Sequence, residues 1–270
     1  MAEQAADAGQ AAAGSRVPRI TGAGPLQLIA GVVGLAWQTV VAAAGEGIPV
    51  RQLVDQMAAV GADSIWIVLI ITGATGAVFA YYVTQLSQQV GVSQLVGGTL
   101  AYGLFNELGP VLSGVALAAR AGAAIAAELA TMVVTEQVDA MRSMAVSPVR
   151  YLVAPRIAAA LIMLPLLTAI ADCAGLYGGY LFARMAGITG PVFFESVRTW
   201  AHTVDLERGL IKAVVFGAIT GLIACHQGLS TRRGATGVGR ATTGSVVLCV
   251  ISIFLADLAL TPFLRHLALR

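Results

Sequence analysis

The sequence predicts an all-α integral membrane protein: an N-terminal interfacial elbow helix, five transmembrane helices, and a short polar helix on the inner side between two of them. Three observations carry this. Of 270 residues, 57% are hydrophobic and only 11% charged, against about 25% charged in soluble domains. A surface so poor in charge must face lipid. Apolar runs of the length a bilayer demands, about 20 residues, recur along the chain. Arginines gather in two of the short connections between those runs.

Residues 1–24 are small, polar and low in complexity, as in the stretch from Ala5 to Ser15, and are expected to be disordered. No basic segment leads at once into an apolar core, which argues against a cleaved signal peptide. Residues 25–62 form the interfacial part and 63–270 the membrane domain. Pro25 to Ala44 is apolar but interrupted by Gln27, Gln38 and glycines, so it reads as an elbow or as a further span, and the elbow is favoured. Val50 to Ala62 sets Arg51 and Asp55 against Leu53, Val54 and Met57, an interfacial pattern.

Ser64 to Thr84 is uncharged and is the first clear span. Val90 to Ala127 is too long for a simple crossing and contains Glu107, the step Gly109-Pro110 and Arg120. Proline removes a backbone donor and bends a helix, so this is expected to be one long kinked span ending near Glu128. Leu152 to Ala183 is the third span, residues 184–208 a polar loop, Leu210 to Cys225 the fourth span and Ser245 to Leu264 the fifth. Arg142 and Arg150 in one loop, and Arg232, Arg233 and Arg240 in another, place those loops inside. Five spans then put the N-terminus inside too, which is the reason for the elbow.

Gly114, Ala118, Gly122, Ala126 and Ala130 recur every four residues, and Gly175 to Gly179 and Gly217 to Gly221 repeat the spacing. Small residues let helices approach closely in lipid. The seams read either as the contacts of a tight bundle or as a dimer face.

Glu107, Arg120, Glu128, Asp172, Lys212 and Asp257 lie within or beside apolar runs, where a charge costs about 2.5–3.5 kcal/mol on insertion scales. Backbone freed at a helix break is tolerated only against protein or a water-filled cavity, so Glu107 is expected to face a cavity. There it would serve as a gate or headgroup contact, or as a structural carboxylate for freed amides. Asp172 and Asp257 read first as helix-to-helix hydrogen-bonding groups.

Thr135 to Met144 reads as a short amphipathic helix. Val138, Met141 and Met144 make its apolar stripe, and Glu136, Asp139 and Arg142 its charged side. Ser147-Pro148 stops it. Such a helix suits docking on a soluble partner. A plain interfacial loop helix is the bland alternative. No phosphate-binding loop, HExxH or GxSxG motif is present, and His202, His226 and His266 are scattered. The net charge of +2 offers no field for nucleic acid. Cys173, Cys225 and Cys249 sit in apolar runs without ligand spacing. An enzyme is not expected, and neither a cofactor nor a metal site is expected in this chain.

Three blocks together carry a family resemblance: Asn106-Glu107-Leu108-Gly109-Pro110-Val111-Leu112, then Ala119-Arg120-Ala121-Gly122 to Glu128-Leu129, then Thr135-Glu136-Gln137-Val138-Asp139-Ala140-Met141. Ser147 to Arg156, Ile211-Lys212-Ala213 and Gly239-Arg240-Ala241-Thr242-Thr243 extend it. Over roughly residues 50–264 the chain resembles the MlaE/YrbE permeases of MCE-type lipid ABC transporters, and its composition suits the actinobacterial YrbE chains of Mce systems. The resemblance implies a multi-pass protein of the inner or plasma membrane with its N-terminus in the cytoplasm, and a dimeric permease, a heterodimer with a second YrbE-type chain being favoured. It implies a cytoplasmic ATPase holding ATP and Mg, and MCE-domain lipid carriers. The inner helix then resembles a coupling helix, with Glu136, Gln137, Asp139, Met141 and Arg142 facing the ATPase. A lipid pocket is expected along Ile71, Val78, Tyr81, Tyr82, Leu104, Phe105, Glu107 and Leu108, with Gly109 and Pro110 as its hinge. Where the family often has Arg before the pocket Glu, this chain has Asn106. The rival readings are an ATP-independent transporter or channel, and a membrane scaffold of a lipid-transfer complex.

Overall fold

The computed structural model describes residues 25–231 and 234–267, and every regular element in them is helical. The expected tail 1–24, and Arg232 and Arg233, lie outside the described residues. The elements are α1 (Pro25–Glu46), α2 (Val50–Val60), α3 (Ile65–Val90), α4 (Val96–Val134), α5 (Gln137–Ser143), α6 (Val149–Met185), α7 (Gly190–Trp200), α8 (Thr203–Leu229) and α9 (Ala235–Leu267). Six stretches are long and apolar enough to cross a membrane: Gln27–Gly45, Val50–Val90, Val96–Val134, Val149–Met185, Thr203–Leu229 and Ala235–His266. The first of these is the expected elbow, and length and composition permit it to span. It packs beside Val149–Val153 at the start of α6.

Because the long helices alternate in direction, the bundle has two distinct ends. One carries α7 and the turn between α3 and α4. The other carries α2, α5 and the connection from α8 to α9. α3 stops at Gly91, whose φ of 77° is the left-handed geometry that glycine adopts without cost. α8 starts cleanly because Asp205 accepts from the His202 backbone N–H at 3.1 Å.

The small-residue seams resolve as contacts within one protomer. Along α3, Val68, Thr72, Gly76, Ala80 and Thr84 are buried at every fourth position. They face α6, where a Cβ on Gly76 would strike the Gly175 carbonyl and one on Gly178 that of Gly73. Backbone thus lies directly on backbone, the arrangement that small residues allow in lipid. Gly217 meets Ala160 of α6, and Gly114 and Gly122 of α4 meet Phe216 and Thr220 of α8. These seams build the bundle, and a role as a dimer face is excluded for them.

The segment expected as a polar loop, 184–208, contains the helix α7. Its apolar stripe buries Phe193 with Val197 against α4. Gly97 and Gly98 leave room for it, and the Gly98 N–H donates to Ser196 Oγ at 2.9 Å. A four-residue apolar spacing inside a polar stretch was the available signal.

α4 has 39 residues and would extend about 58 Å, roughly twice the hydrocarbon core. It is continuous but contains two π-helical turns, Leu104–Leu108 and Ala118–Gly122. The first lies immediately before the expected hinge. The second was not expected. Such turns are rare and favour functional positions.

Candidate functional site

Pro110 sets the geometry of the site. In an unbroken α-helix its N–H would donate to the carbonyl of Asn106, but proline has no N–H. Gly109 N–H in turn reaches back to Leu104 O, closing the π turn. The carbonyls of Phe105 and Asn106 are therefore displaced from the regular ladder, deep in an apolar bundle where an unmade bond is expensive.

α8 meets both carbonyls. Gly209 stands so close to the Phe105 carbonyl that a Cβ would collide with it. One turn on, Lys212 Nζ donates to the Asn106 carbonyl at 2.9 Å. The lysine thus supplies the donor that the proline lacks. Its ammonium also donates to Glu107 Oε2 at 2.8 Å and to Thr261 Oγ1 at 2.8 Å. Asp257 Oδ1 lies 2.8 Å away at ion-pair distance but off the hydrogen-bond direction. Thr261's one hydroxyl proton has two acceptors in reach, Glu107 Oε1 at 3.1 Å and the Asp257 carbonyl at 2.9 Å. Lys212 is 2% exposed, whereas the Glu107 side chain is 39% exposed. Three membrane helices are thereby joined at one polar knot, about 15 Å along each from the α7 end of the bundle.

On the opposite side of the break, Gly109 and Ser113 of α4 face Asp172 and Thr168 of α6. Ser113 Oγ and Thr168 Oγ1 are 2.6 Å apart. Asp172 is buried and makes no hydrogen bond, so the expectation of a helix-to-helix hydrogen bond fails for it. Its carboxylate occupies the space that a side chain at position 109 would need. Asp257 does join helices, but as an ion-pair partner of Lys212.

The apolar candidates divide. Val78 and Tyr82 are exposed on a stripe of α3 that runs Trp66, Ile70, Ala74, Val78, Tyr82 and Leu86. Tyr81 accepts from Gln85 Nε2 at 2.6 Å and stacks edge-on against Phe182. Phe105 and Leu108 are half-buried beside Glu107, and Ile71 packs on the main core. Leu104 is fully buried and packs against Gly175. It is a core residue of the protomer, which removes it from the expected lining.

At the other end, α5 is bracketed by two non-glycine residues in left-handed geometry, Glu136 at φ 60° and Ala145 at φ 59°. Glu136, Gln137, Asp139 and Arg142 are exposed, and Arg142 pairs with Asp139 at 3.1 Å. Val138 is buried and Met141 half-buried, while Met144 is exposed, so the apolar stripe docks only by its first part. Between the two ends, Arg120 on the second π turn donates to Ala59 O at 2.8 Å, Ser64 Oγ at 2.9 Å and Asp63 Oδ2 at 2.9 Å. Glu128 pairs with Arg156 of α6 at 2.9 Å. Among the described residues no group of three or more His, Cys, Asp or Glu is placed to hold a metal ion.

Sequence reasoning singled out Lys212, Asp257 and Glu107 one by one but did not join them. The one signal was that the chain's single lysine falls inside an apolar run.

The family model described as Permease MlaE matches residues 53–263. A probable ABC transporter permease protein of Synechocystis sp. is 39% identical over 212 residues, covering 78% of this chain and 81% of that one. A probable ABC transporter permease protein of Rickettsia typhi is 38% identical over 213 residues, covering 78% and 82%. The chloroplastic protein TRIGALACTOSYLDIACYLGLYCEROL 1 of Arabidopsis thaliana is 34% identical over 214 residues, covering 79% of this chain and 61% of that one.

Proposed function

Since the chain belongs to the MlaE permease family, we propose that it is the membrane half of an ABC transporter that moves lipid, with ATP and Mg held by a separate cytoplasmic ATPase. One observation carries the reading. A single continuous helix, α4, bears a polar break at Leu104–Pro110 near one end and leads directly into the exposed charged helix α5 at the other. A motion delivered at α5 is thereby carried to the break.

In this reading α5 is the docking element, and Glu136, Gln137, Asp139, Met141 and Arg142 meet the ATPase. The α5 end lies in the cytoplasm, in line with the loop arginines. α1, packed beside the start of α6 at that same end, acts as the elbow, and the N-terminus is cytoplasmic. The lipid site comprises Glu107 with Phe105 and Leu108, together with the exposed stripe of α3 at Val78 and Tyr82 and the neighbouring Tyr81. Ile71 supports the stripe from behind. Gly109 and Pro110 form the hinge, clasped by Gly209 and Lys212. The stripe on α3 is closed by a second permease chain, a YrbE-type partner in a heterodimer, and MCE-domain proteins exchange lipid with the site from the α7 side.

The test is reconstitution of the chain with its ATPase and permease partner in liposomes containing fluorescent lipid, read as transfer to an MCE-domain acceptor. Transfer that requires ATP hydrolysis supports the reading. Transfer at equal rate without ATP would assign the protein to ATP-independent transport, and no transfer under either condition would leave it a scaffold.

A further inference from the structure

We infer that the part of the lipid head that meets Glu107 is a hydrogen-bond donor, a hydroxyl or an amine bearing N–H. This rests on the lipid site proposed above and names the chemistry that the site selects.

The inference follows from where each donor and acceptor is already used. An ammonium has three N–H donors and no acceptor. Those of Lys212 go to Asn106 O, Glu107 Oε2 and Thr261 Oγ1. The group is 2% exposed, so it has nothing left for a ligand. Asn106 is buried, and one of its two amide N–H donors goes to Tyr102 O at 3.1 Å. Thr261 has one hydroxyl proton, directed to Glu107 Oε1 or the Asp257 carbonyl.

Glu107 is different. A carboxylate accepts at about four lone-pair positions, and its protein donors, Lys212 and Thr261, occupy at most two of them. With the side chain 39% exposed, the remaining acceptor positions face outward. Among the groups of the knot itself, the open side therefore offers acceptors and no donor. A head that ends in an ester or an ether has no donor to give such a site and desolvates Glu107 without return, and a quaternary amine brings charge but no hydrogen bond.

The test uses the full-length permease complex and two lipid pairs, each matched in acyl chains and in charge. Diacylglycerol is compared with its acetylated analogue, and phosphatidylethanolamine with phosphatidylcholine. Retention after purification is read by native mass spectrometry. Charge matching matters because Arg265, exposed and one turn beyond Thr261 on α9, would draw an anionic head by charge alone. The donor-bearing member of at least one pair should be retained about tenfold better, and the pair that discriminates identifies hydroxyl or amine as the donor. In Glu107→Gln, which keeps the size but loses the charge, the preference should fall to about threefold or less. Equal retention within both pairs, or an undiminished preference in Glu107→Gln, overturns the inference while leaving the lipid site standing. Retention of no lipid at all overturns the lipid site and the inference with it.

Discussion

Lys212 donates to the backbone carbonyl of Asn106 at 2.9 Å across 106 residues of sequence, filling the place of the N–H that Pro110 lacks. A side chain on one helix thus repairs the ladder of another, and the same ammonium ties down Glu107. Removing it strands two carboxylates and a carbonyl. Lys212→Met should cost roughly 3–5 kcal/mol, as for other broken buried pairs, seen as a large fall in the melting temperature of the detergent-purified protein. An unchanged melting point would contradict the assignment.

Pro110→Ala restores an N–H opposite Asn106. In that background Lys212 has less to repair, so the cost of Lys212→Met should shrink by about 1 kcal/mol, the net worth of one hydrogen bond. A double-mutant cycle on thermal stability measures it. Strict additivity would show that lysine and proline are not linked.

Gly109 is pressed by the Asp172 carboxylate. Gly109→Ala should therefore destabilise by about 1–3 kcal/mol through overpacking, and Asp172→Ala in the same chain should recover part of that loss. Failure of the second change to rescue the first would place the strain elsewhere.

Much of this architecture was legible in the sequence, because lipid imposes a simple rule on length and polarity. The apolar runs ending near Thr84, Ala183, Cys225 and Leu264 became α3, α6, α8 and α9, and Pro110 marked the break. The polar knot was not legible. Glu107 and Lys212 lie 105 positions apart, and which charges meet depends on how α8 and α9 rotate against α4. That rotation is set by glycine contacts such as Gly209 on Phe105 and Gly122 on Thr220, for which an Ala/Gly-rich sequence offers many equivalent registers. Leu104 was misread for the same reason. In a membrane helix an outward leucine and an inward one look alike, since lipid and protein core are equally apolar. α7 was hidden because its stripe is only Phe193, Val197 and Trp200.

Ala145 holds φ at 59°, a conformation costing an alanine about 1–2 kcal/mol relative to glycine. Ala145→Gly should stabilise the chain by about 1 kcal/mol and slow hydrogen exchange across residues 137–146. Ala145→Val should do the opposite. Equal exchange in all three would contradict the left-handed geometry at the end of α5.

Arg120 fastens α4 to the turn at Ala59, Asp63 and Ser64. Arg120→Ala should loosen that turn, raising hydrogen exchange at residues 59–64 while leaving α8 protected, at a cost of about 1–2 kcal/mol. Faster exchange spread evenly over the bundle would instead indicate general destabilisation.

The most direct test of the central claim is lipid labelling at Tyr82. A photoreactive side chain there, in the complex reconstituted with its ATPase, should label lipid to an extent that changes several-fold when a non-hydrolysable ATP analogue is added. The change should vanish when Glu136 and Asp139 are both replaced by arginine. Labelling indifferent to the nucleotide in the otherwise unaltered complex would contradict a link between α5 and the break at Pro110.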